Sequence, residues 1–471
     1  MTALALIALL CWPLAVAVLF NRMPRPEAAV WSVLGGYLVL PPVVGIDLPG
    51  LPDIGKETLP AMAAVLFACL TGPKEGESPM PPIPPALLFL TVVLVLTPIA
   101  TAVTNPDALF DGIVVRPGIG MIQGVGEAIG TTFYLMPFLL GFWLLSDTRG
   151  PRVMARALVA GVLAYSVLML IEIRLSPQLN VWIYGFFQHA FDQTMRYGGF
   201  RPIVFLTHPL WVAFLTLTAL LSAIALLRVE GTPRARGIAA YLTVILVLCK
   251  SLGGLMHLFI AAPILWLMRP RMIVLFALVV GIAVFLYPVA RALPWVPIDE
   301  LAGLISSAEA ERGGSFEFRL NNEVILLDRA LERPWFGWGA WGRQLIVDPE
   351  SGRHLTIVDG EWIRVLGQYG ITGYAAAFGL LLLPLIMLWR AWPKGRDETG
   401  PDGLLLAAMA LMLSLNMLDL VPNATITPLT WLMAGIVSGA AVRMRDGSYF
   451  AQTPAAVARV LPKKTGLKAI L

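Results

Sequence analysis

The sequence predicts an all-α protein: a polytopic transmembrane helix bundle of about 12–13 spans with a large, partly helical loop on one side. Three observations carry that prediction. Only 14% of the 471 residues are charged and 58% are hydrophobic, whereas a soluble domain carries about 25% charged residues. Apolar runs of bilayer-crossing length recur along the chain, and a bilayer is the environment that hides such surface from water. The longest polar interruption, residues 293–361, stands between two such runs and collects Arg312, Arg319, Arg329, Arg333, Arg343, Arg353, His354, Asp359 and Glu361.

Taken in order, the first run covers 3–20. It has no basic segment before it, and Asn21-Arg22-Met23-Pro24-Arg25 follows it instead of a small-residue cleavage site, so it is read as a retained span. Further spans are expected at 28–46, 57–71, 86–103, 128–146, 154–175, 203–227, 237–252, 254–268, 271–291, 362–390, 403–420 and 425–442. The pair 237–252 and 254–268 is short, separated only at Gly253-Gly254, and could form one broken hairpin. The chain thus divides into an N-terminal bundle of about ten spans (1–292), the loop (293–361), the C-terminal spans (362–442) and a basic tail (443–471).

Short loops give the orientation. Arg22/Arg25, Lys74, Arg149/Arg152/Arg156, Arg228/Arg234/Arg236, Arg269/Arg271 and Arg390/Lys394/Arg396 fall on alternate sides in one register, shared by the basic tail. Clustered Lys and Arg mark the cytoplasmic side, which puts the long loop, 104–127, 176–202 and the N-terminus outside. The basic balance therefore reports topology and gives no reason to invoke nucleic acid. Cys11, Cys69 and Cys249 lie in apolar runs and form no disulfide or metal framework. Walker, Rossmann and Cys-ligand patterns are absent, which argues against a nucleotide-driven machine or a redox carrier.

Four stretches carry polar chemistry. In Met195-Arg196-Tyr197-Gly198-Gly199-Phe200-Arg201-Pro202, two arginines flank a Gly-Gly turn, and His208-Pro209 opens the next span. Each arginine can snorkel to headgroups; together they make a cationic cluster. A His at such depth needs a partner, so His208 is either a packed, neutral, hydrogen-bonded group or a functional one. In Ser315 to Glu323, Leu320, Val324, Leu327 and Leu331 recur at helical spacing until Pro334. This reads as an amphipathic helix on the outer face, in which Arg319 can pair with Glu323 at i,i+4.

The third stretch runs from Pro334 to Gly342, where Trp335, Trp338 and Trp341 recur every third residue among glycines. It is either an interfacial aromatic belt or a set of faces for stacking on sugar rings. The fourth is Asp359-Gly360-Glu361-Trp362, followed by Gly367, Gly370 and Gly373. Its carboxylates can cap the re-entering helix or act as a base; two carboxylates alone make a weak metal site, and none is assigned. Lys250-Ser251 and His257 lie near the same outer side and can add positive potential.

In this order the motifs resemble those of the bacterial O-antigen ligase and polysaccharide polymerase superfamily, the Wzy-like membrane glycosyltransferases. The matching residues are Arg196-x-Gly-Gly-Phe with His208-Pro209, the large loop with Arg319, Pro334-Trp-Phe-Gly-Trp-Gly, Asp359-Gly-Glu-Trp and Gly370-x-x-Gly373. The resemblance implies an inner-membrane enzyme that acts on the periplasmic side. It would move a glycan from undecaprenyl pyrophosphate to an acceptor hydroxyl, with inversion, without metal or cofactor. Arg196 and Arg319 would hold the pyrophosphate, and Asp359 or Glu361 would be the base.

Substrate binding would fall to Arg201, His208, Lys250, Trp335, Trp338, Trp341, Arg343 and His354. Expected partners are the lipid-linked oligosaccharide, the growing polysaccharide, membrane lipids and a chain-length regulator. Ligases carry a histidine where this chain has Asp359-Gly360-Glu361, which favours a polymerase. Ligation to lipid A–core is the alternative within the class, and a polysaccharide or lipid flippase the alternative outside it.

Overall fold

A computed structural model describes residues 2–74, 76–293, 310–393 and 400–450. Arg459, Lys463, Lys464 and Lys468 of the basic tail, Lys394 and Arg396, and residues 294–309 of the loop lie outside the described residues, as do the side chains of Arg312 and Leu320. The fold is all-α. Its helices are α1 (Ala3–Arg22), α2 (Arg25–Val39), α3 (Leu59–Thr71), α4 (Pro85–Thr104), α5 (Met121–Tyr134), α6 (Met136–Leu144), α7 (Arg149–Leu175) and α8 (Leu179–Tyr184). They continue as α9 (Pro209–Glu230), α10 (Pro233–Leu248), α11 (Leu252–Leu267), α12 (Pro270–Ala292), α13 (Ala310–Leu331), α14 (Glu361–Ala391), α15 (Gly400–Asp419) and α16 (Pro428–Arg445).

Among the described residues, eight helices are long and apolar enough to cross a membrane: α1, α4, α5–α6 together, α7, α9, α12, α14 and α15. The other expected spans are helical: α2, α3, α10 and α11 have 15, 13, 16 and 16 residues, and α16, with 18, carries Arg443 and Arg445 in its last turn. Proline sets many of the boundaries. α2, α3, α4, α6, α9, α10, α12 and α16 all carry Pro in their first two positions, where its missing N–H costs nothing. This shifts several expected edges. The 203–227 span begins only at Pro209, and the 128–146 span begins at Met121 and breaks at Leu135 ahead of Pro137. The break between α10 and α11 falls at Cys249-Lys250-Ser251, not at Gly253-Gly254, which lie in the first turn of α11.

Burial sorts the helices into layers. α15 is 83% buried over its span and α1 only 22%, so α9, α14, α15 and α16 form the centre and α1, α4 and α12 the periphery. α6 and α16 approach backbone to backbone: a Cβ on Gly141 would lie 2.3 Å from the Leu432 carbonyl oxygen, and one on Gly435 2.1 Å from that of Phe138. Small residues at such crossings are how helices pack tightly where lipid supplies no hydrophobic drive.

Polar contacts define two ends. At one end Arg25 pairs with Glu77 at 3.1 Å, Arg152 with Asp402 at 2.7 Å and Arg156 with Glu230 at 3.2 Å. There Arg228 caps the carbonyls of Leu265 and Met268, and Arg443 reaches Ser146 and the Pro79 carbonyl. The other end holds α13 and three small antiparallel hairpins, 45–46/54–55 (β1–β2), 109–111/114–116 (β3–β4) and 195–196/199–200 (β5–β6). The basic short loops thus share one end, as their alternation in the sequence predicts.

α13 takes a different register from the expected one. Leu326, Leu327 and Ala330 are buried, while Val324 and Leu331 are exposed. Arg319 does not pair with Glu323. Glu323 instead accepts from Tyr287 Oη at 3.0 Å and Arg291 Nε at 3.4 Å, and receives Trp362 Nε1 at 3.4 Å. This ties α13 to α12 and α14 and leaves Arg319 to face elsewhere.

Candidate functional site

The site is built on a buried stretch without regular structure, residues 201–206. Such backbone survives at a membrane boundary only if its polar groups find partners. Glu172, at the end of α7, accepts the N–H groups of Ile203 and Val204 at 2.8 and 2.7 Å and that of Leu179 at 3.1 Å. Tyr165 Oη receives the Phe205 N–H at 2.9 Å; Lys56 Nζ donates to the Phe205 carbonyl at 2.6 Å. Gln188 Nε2 donates to the carbonyls of Val204 and Leu206. This frame fixes both ends of the stretch, Arg201 and His208.

Arg201 is buried. Its Nε and Nη1 donate to the carbonyls of Cys249 and Gln193, each at 3.4 Å, and its Nη2 has no hydrogen-bond partner among the described residues. Burial and then the Arg196 charge lower Arg201 to about 10, so it stays cationic at neutral pH. Arg196 sits on the adjoining β5–β6 hairpin, whose turn residues Tyr197 and Gly198 both have positive φ (51° and 65°), the geometry of a primed hairpin turn. Lys250, at φ 51°, donates to the Arg196 carbonyl at 3.2 Å and lies against Gly199, braces the hairpin and adds a third cation.

His208 is the N-cap of α9. Its Nδ1 accepts the Leu210 N–H at 3.0 Å, which in the neutral ring leaves the proton on Nε2. The ring packs edge-on against His189, 4.7 Å between centroids. Burial, then His189, Arg201, Arg196 and Arg319, hold His208 down to about 3. Charges from the β5–β6 hairpin, the 201–206 stretch and α13 therefore all bear on one imidazole. The charges of Arg196 and Arg319, from segments far apart in the chain, both act on this ring. Arg319 Nε also lies 3.4 Å from Asp359 Oδ2, with both side chains partly exposed.

Glu361 is not beside Asp359 in chemistry. It is buried in the first turn of α14 and gripped at both oxygens by Arg364, at 2.5 and 2.8 Å; its own N–H donates to the Leu420 carbonyl. Both Glu361 oxygens are engaged by Arg364, whereas Asp359 lies beside Arg319 with its side chain partly exposed, which leaves Asp359 the better placed of the two. Arg364 and Glu361 belong to a second polar patch with Lys56 and Glu57, which sequence reading missed. Burial pushes Glu57 up to about 7, against the opposing charge of Lys56, and pulls Lys56 down to about 7. Two adjacent charges at the mouth of an apolar helix were the signal available. His189 was equally missed; nothing in its local sequence marks it.

The aromatic-glycine block divides. Trp335 and Trp341 are 67% and 49% exposed, whereas Trp338 is 5% exposed, donates Nε1 to the Arg329 carbonyl at 2.7 Å and is stacked by the guanidinium groups of Arg329 and Arg333 at 3.5 and 4.5 Å. Arg343 is also taken up by the fold: it donates to the carbonyls of Trp338, Pro117 and Asp107. Neither Trp338 nor Arg343 has a free face for a sugar. His354 is exposed, on a turn bridged to Val347, and makes no hydrogen bond or ion pair with the arginine cluster among the described residues.

The glycines serve a different purpose. Trp338 and Gly339 N–H groups donate to the carbonyls of Gly367 and Gln368, both at 2.9 Å, and Ile371 N–H donates to that of Pro334 at 2.7 Å. A Cβ at Gly337 would sit 2.5 Å from the Gln368 backbone, and one at Gly370 2.5 Å from that of Trp335. Gly370, at φ 66° and ψ −169° inside α14, adopts a conformation open essentially to glycine alone. The loop is thus plugged, backbone on backbone, into a kink of α14. No family model matches the chain, and no curated protein matches it significantly.

Proposed function

We propose that the chain is a bacterial inner-membrane glycosyltransferase of the polysaccharide polymerase type, with the α13 end periplasmic and the basic end, with the C-terminus, cytoplasmic. It would polymerise undecaprenyl-pyrophosphate-linked oligosaccharide repeats into exopolysaccharide or O-antigen, with inversion and without a metal. The observation that carries the reading is the cationic character of that end: Lys250 holds the Arg196 carbonyl, buried Arg201 leaves its Nη2 without a partner among the described residues, and the charges of Arg196, Arg201 and Arg319 all act on His208. A diphosphate leaving group needs fixed positive charge where its charge develops, and guanidinium forks grip phosphate oxygens while staying charged. An Arg at mid-bilayer would cost about 2.5–3.5 kcal/mol on insertion scales; these lie on the β5–β6 hairpin, the 201–206 stretch and α13, none of them a spanning helix. The buried Nη2 of Arg201 and the Nε2–H of neutral His208 are further donors for phosphate oxygens.

In the reaction, the acceptor oxygen forms a bond to the anomeric carbon and the bond to the pyrophosphate oxygen breaks on the opposite face. The leaving group carries off the electron pair, and Asp359 takes the acceptor's proton within about 2.6–3.2 Å. Exposed Trp335 and Trp341 offer faces for the glycan. The test is reconstitution of purified protein with lipid-linked repeat units. A ladder of polymer lengths, lost in Arg196→Ala and Arg319→Ala, supports the reading. Single transfer only to added lipid A–core assigns a ligase instead, and movement of the lipid across the bilayer without covalent product assigns a flippase. Full polymer formation by both arginine variants refutes the mechanism.

A further inference from the structure

A cleft of about 220 Å³ opens at the same end, between the 50–52 turn, α4, α5 and the aromatic-glycine block. Glycines shape it. A Cβ on Gly126 would lie 2.9 Å from the Gly50 carbonyl oxygen, and one on Gly124 2.6 Å from the Ala102 Cβ, so α5 is drawn against both neighbours. Its polar groups are few and convergent. Gln123 and Glu127, one turn apart on α5, both line it and are exposed. Trp341 and Tyr369 supply aromatic surface from the opposite wall. Gln123 Oε1 is occupied by the Gly120 N–H at 2.6 Å, which leaves its amide NH₂ to donate. The Glu127 carboxylate and the Tyr369 hydroxyl form no hydrogen bond or ion pair among the described residues.

We infer that this cleft is a saccharide subsite: it takes a single neutral pyranose ring of the glycan in the reaction proposed above, away from the reacting centre, a role that rests on that reaction. Its volume falls below the about 300–1,000 Å³ of sites for drug-sized ligands, so it fits one ring and not a chain. A sugar presents hydroxyls and an apolar C–H face together. The carboxylate and phenol match the first, Trp341 and Tyr369 the second. A hydrocarbon tail would desolvate Glu127, Gln123 and Tyr369 with nothing in return. Tyr369 belongs to α14, whose first residue, Glu361, stands two positions after Asp359, so one helix carries part of the cleft and begins beside Asp359.

The test uses the full-length protein in detergent micelles and saturation-transfer NMR with methyl glycosides of glucose, galactose, mannose and N-acetylglucosamine. We expect ring-proton transfer for at least one of them, reduced at least fivefold in Glu127→Gln and in Trp341→Ala, and retained in Arg319→Ala. Thermal melts confirm that each variant is folded. Equal transfer in all variants, no transfer with any glycoside, or transfer only from detergent alkyl protons overturns the inference. Glycoside binding by a protein that makes no polymer would overturn the proposed reaction and leave the subsite standing.

Discussion

Replacing His208 by Asn separates the capping role of this residue from its titration. Asn ranks with the best N-cap residues, so its side-chain oxygen can accept the Leu210 N–H that His208 Nδ1 now accepts, while the protonatable ring is gone. His208 is pulled from 6.5 to about 3 by burial and by His189, Arg201, Arg196 and Arg319. The folded protein therefore refuses a proton that the unfolded chain accepts, and stability is lost as pH falls below 6.5 and continues to fall until about 3. At pH 5 linkage gives about 2 kcal/mol at most, since the ring is partly open to solvent and its field is screened. At about 2–4 °C per kcal/mol for a domain of 150–250 residues, and less for a longer one, that amounts to a few degrees. The assay is thermal unfolding of wild type and His208→Asn in the same micelles at pH 7.5 and pH 5. Wild type should lose more between the two than the variant, whatever the pH-independent cost of losing the His189 contact. Equal losses would refute the charge cluster around His208.

Two further substitutions probe the frame. Arg343→Lys should destabilise by at least about 2 kcal/mol, read as a lowered melting temperature, because a single ammonium cannot reach three carbonyls spread over Trp338, Pro117 and Asp107; an unchanged melt would mean those carbonyls are otherwise satisfied. Glu172→Gln should cost about 1–3 kcal/mol, since an amide nitrogen would face an N–H that a carboxylate oxygen now accepts. Amide exchange at Ile203 and Val204 should speed up, and unchanged protection there would sink the assignment of Glu172 as the clamp of this stretch.

The all-α bundle, the position of its helices and the common end of its basic loops were legible in the sequence. Each rests on a local property, namely hydrophobic run length and the alternation of Lys and Arg, whereas the prolines set helix starts that run length alone misplaced. The arginines of the site were legible too, because a guanidinium beside an apolar run stands out, and the charges of Arg196, Arg201 and Arg319 all act on His208. Their neighbours were not. Lys56 holds the Phe205 carbonyl across 149 positions, and Glu172, at the end of α7, takes the amides of Leu179, Ile203 and Val204. Trp338 and Arg343 share their motif with exposed Trp335 and Trp341, yet the fold buries the first two. The glycines of the loop and of α14 are where two backbones touch, and which backbone meets which was not legible. Composition and periodicity report how each segment meets lipid or water, which depends on that segment alone. Which polar groups share a cavity depends on how segments distant in the chain cross, and only tertiary packing decides that, because a buried donor or acceptor takes its partner from whatever backbone the packing brings within about 3 Å.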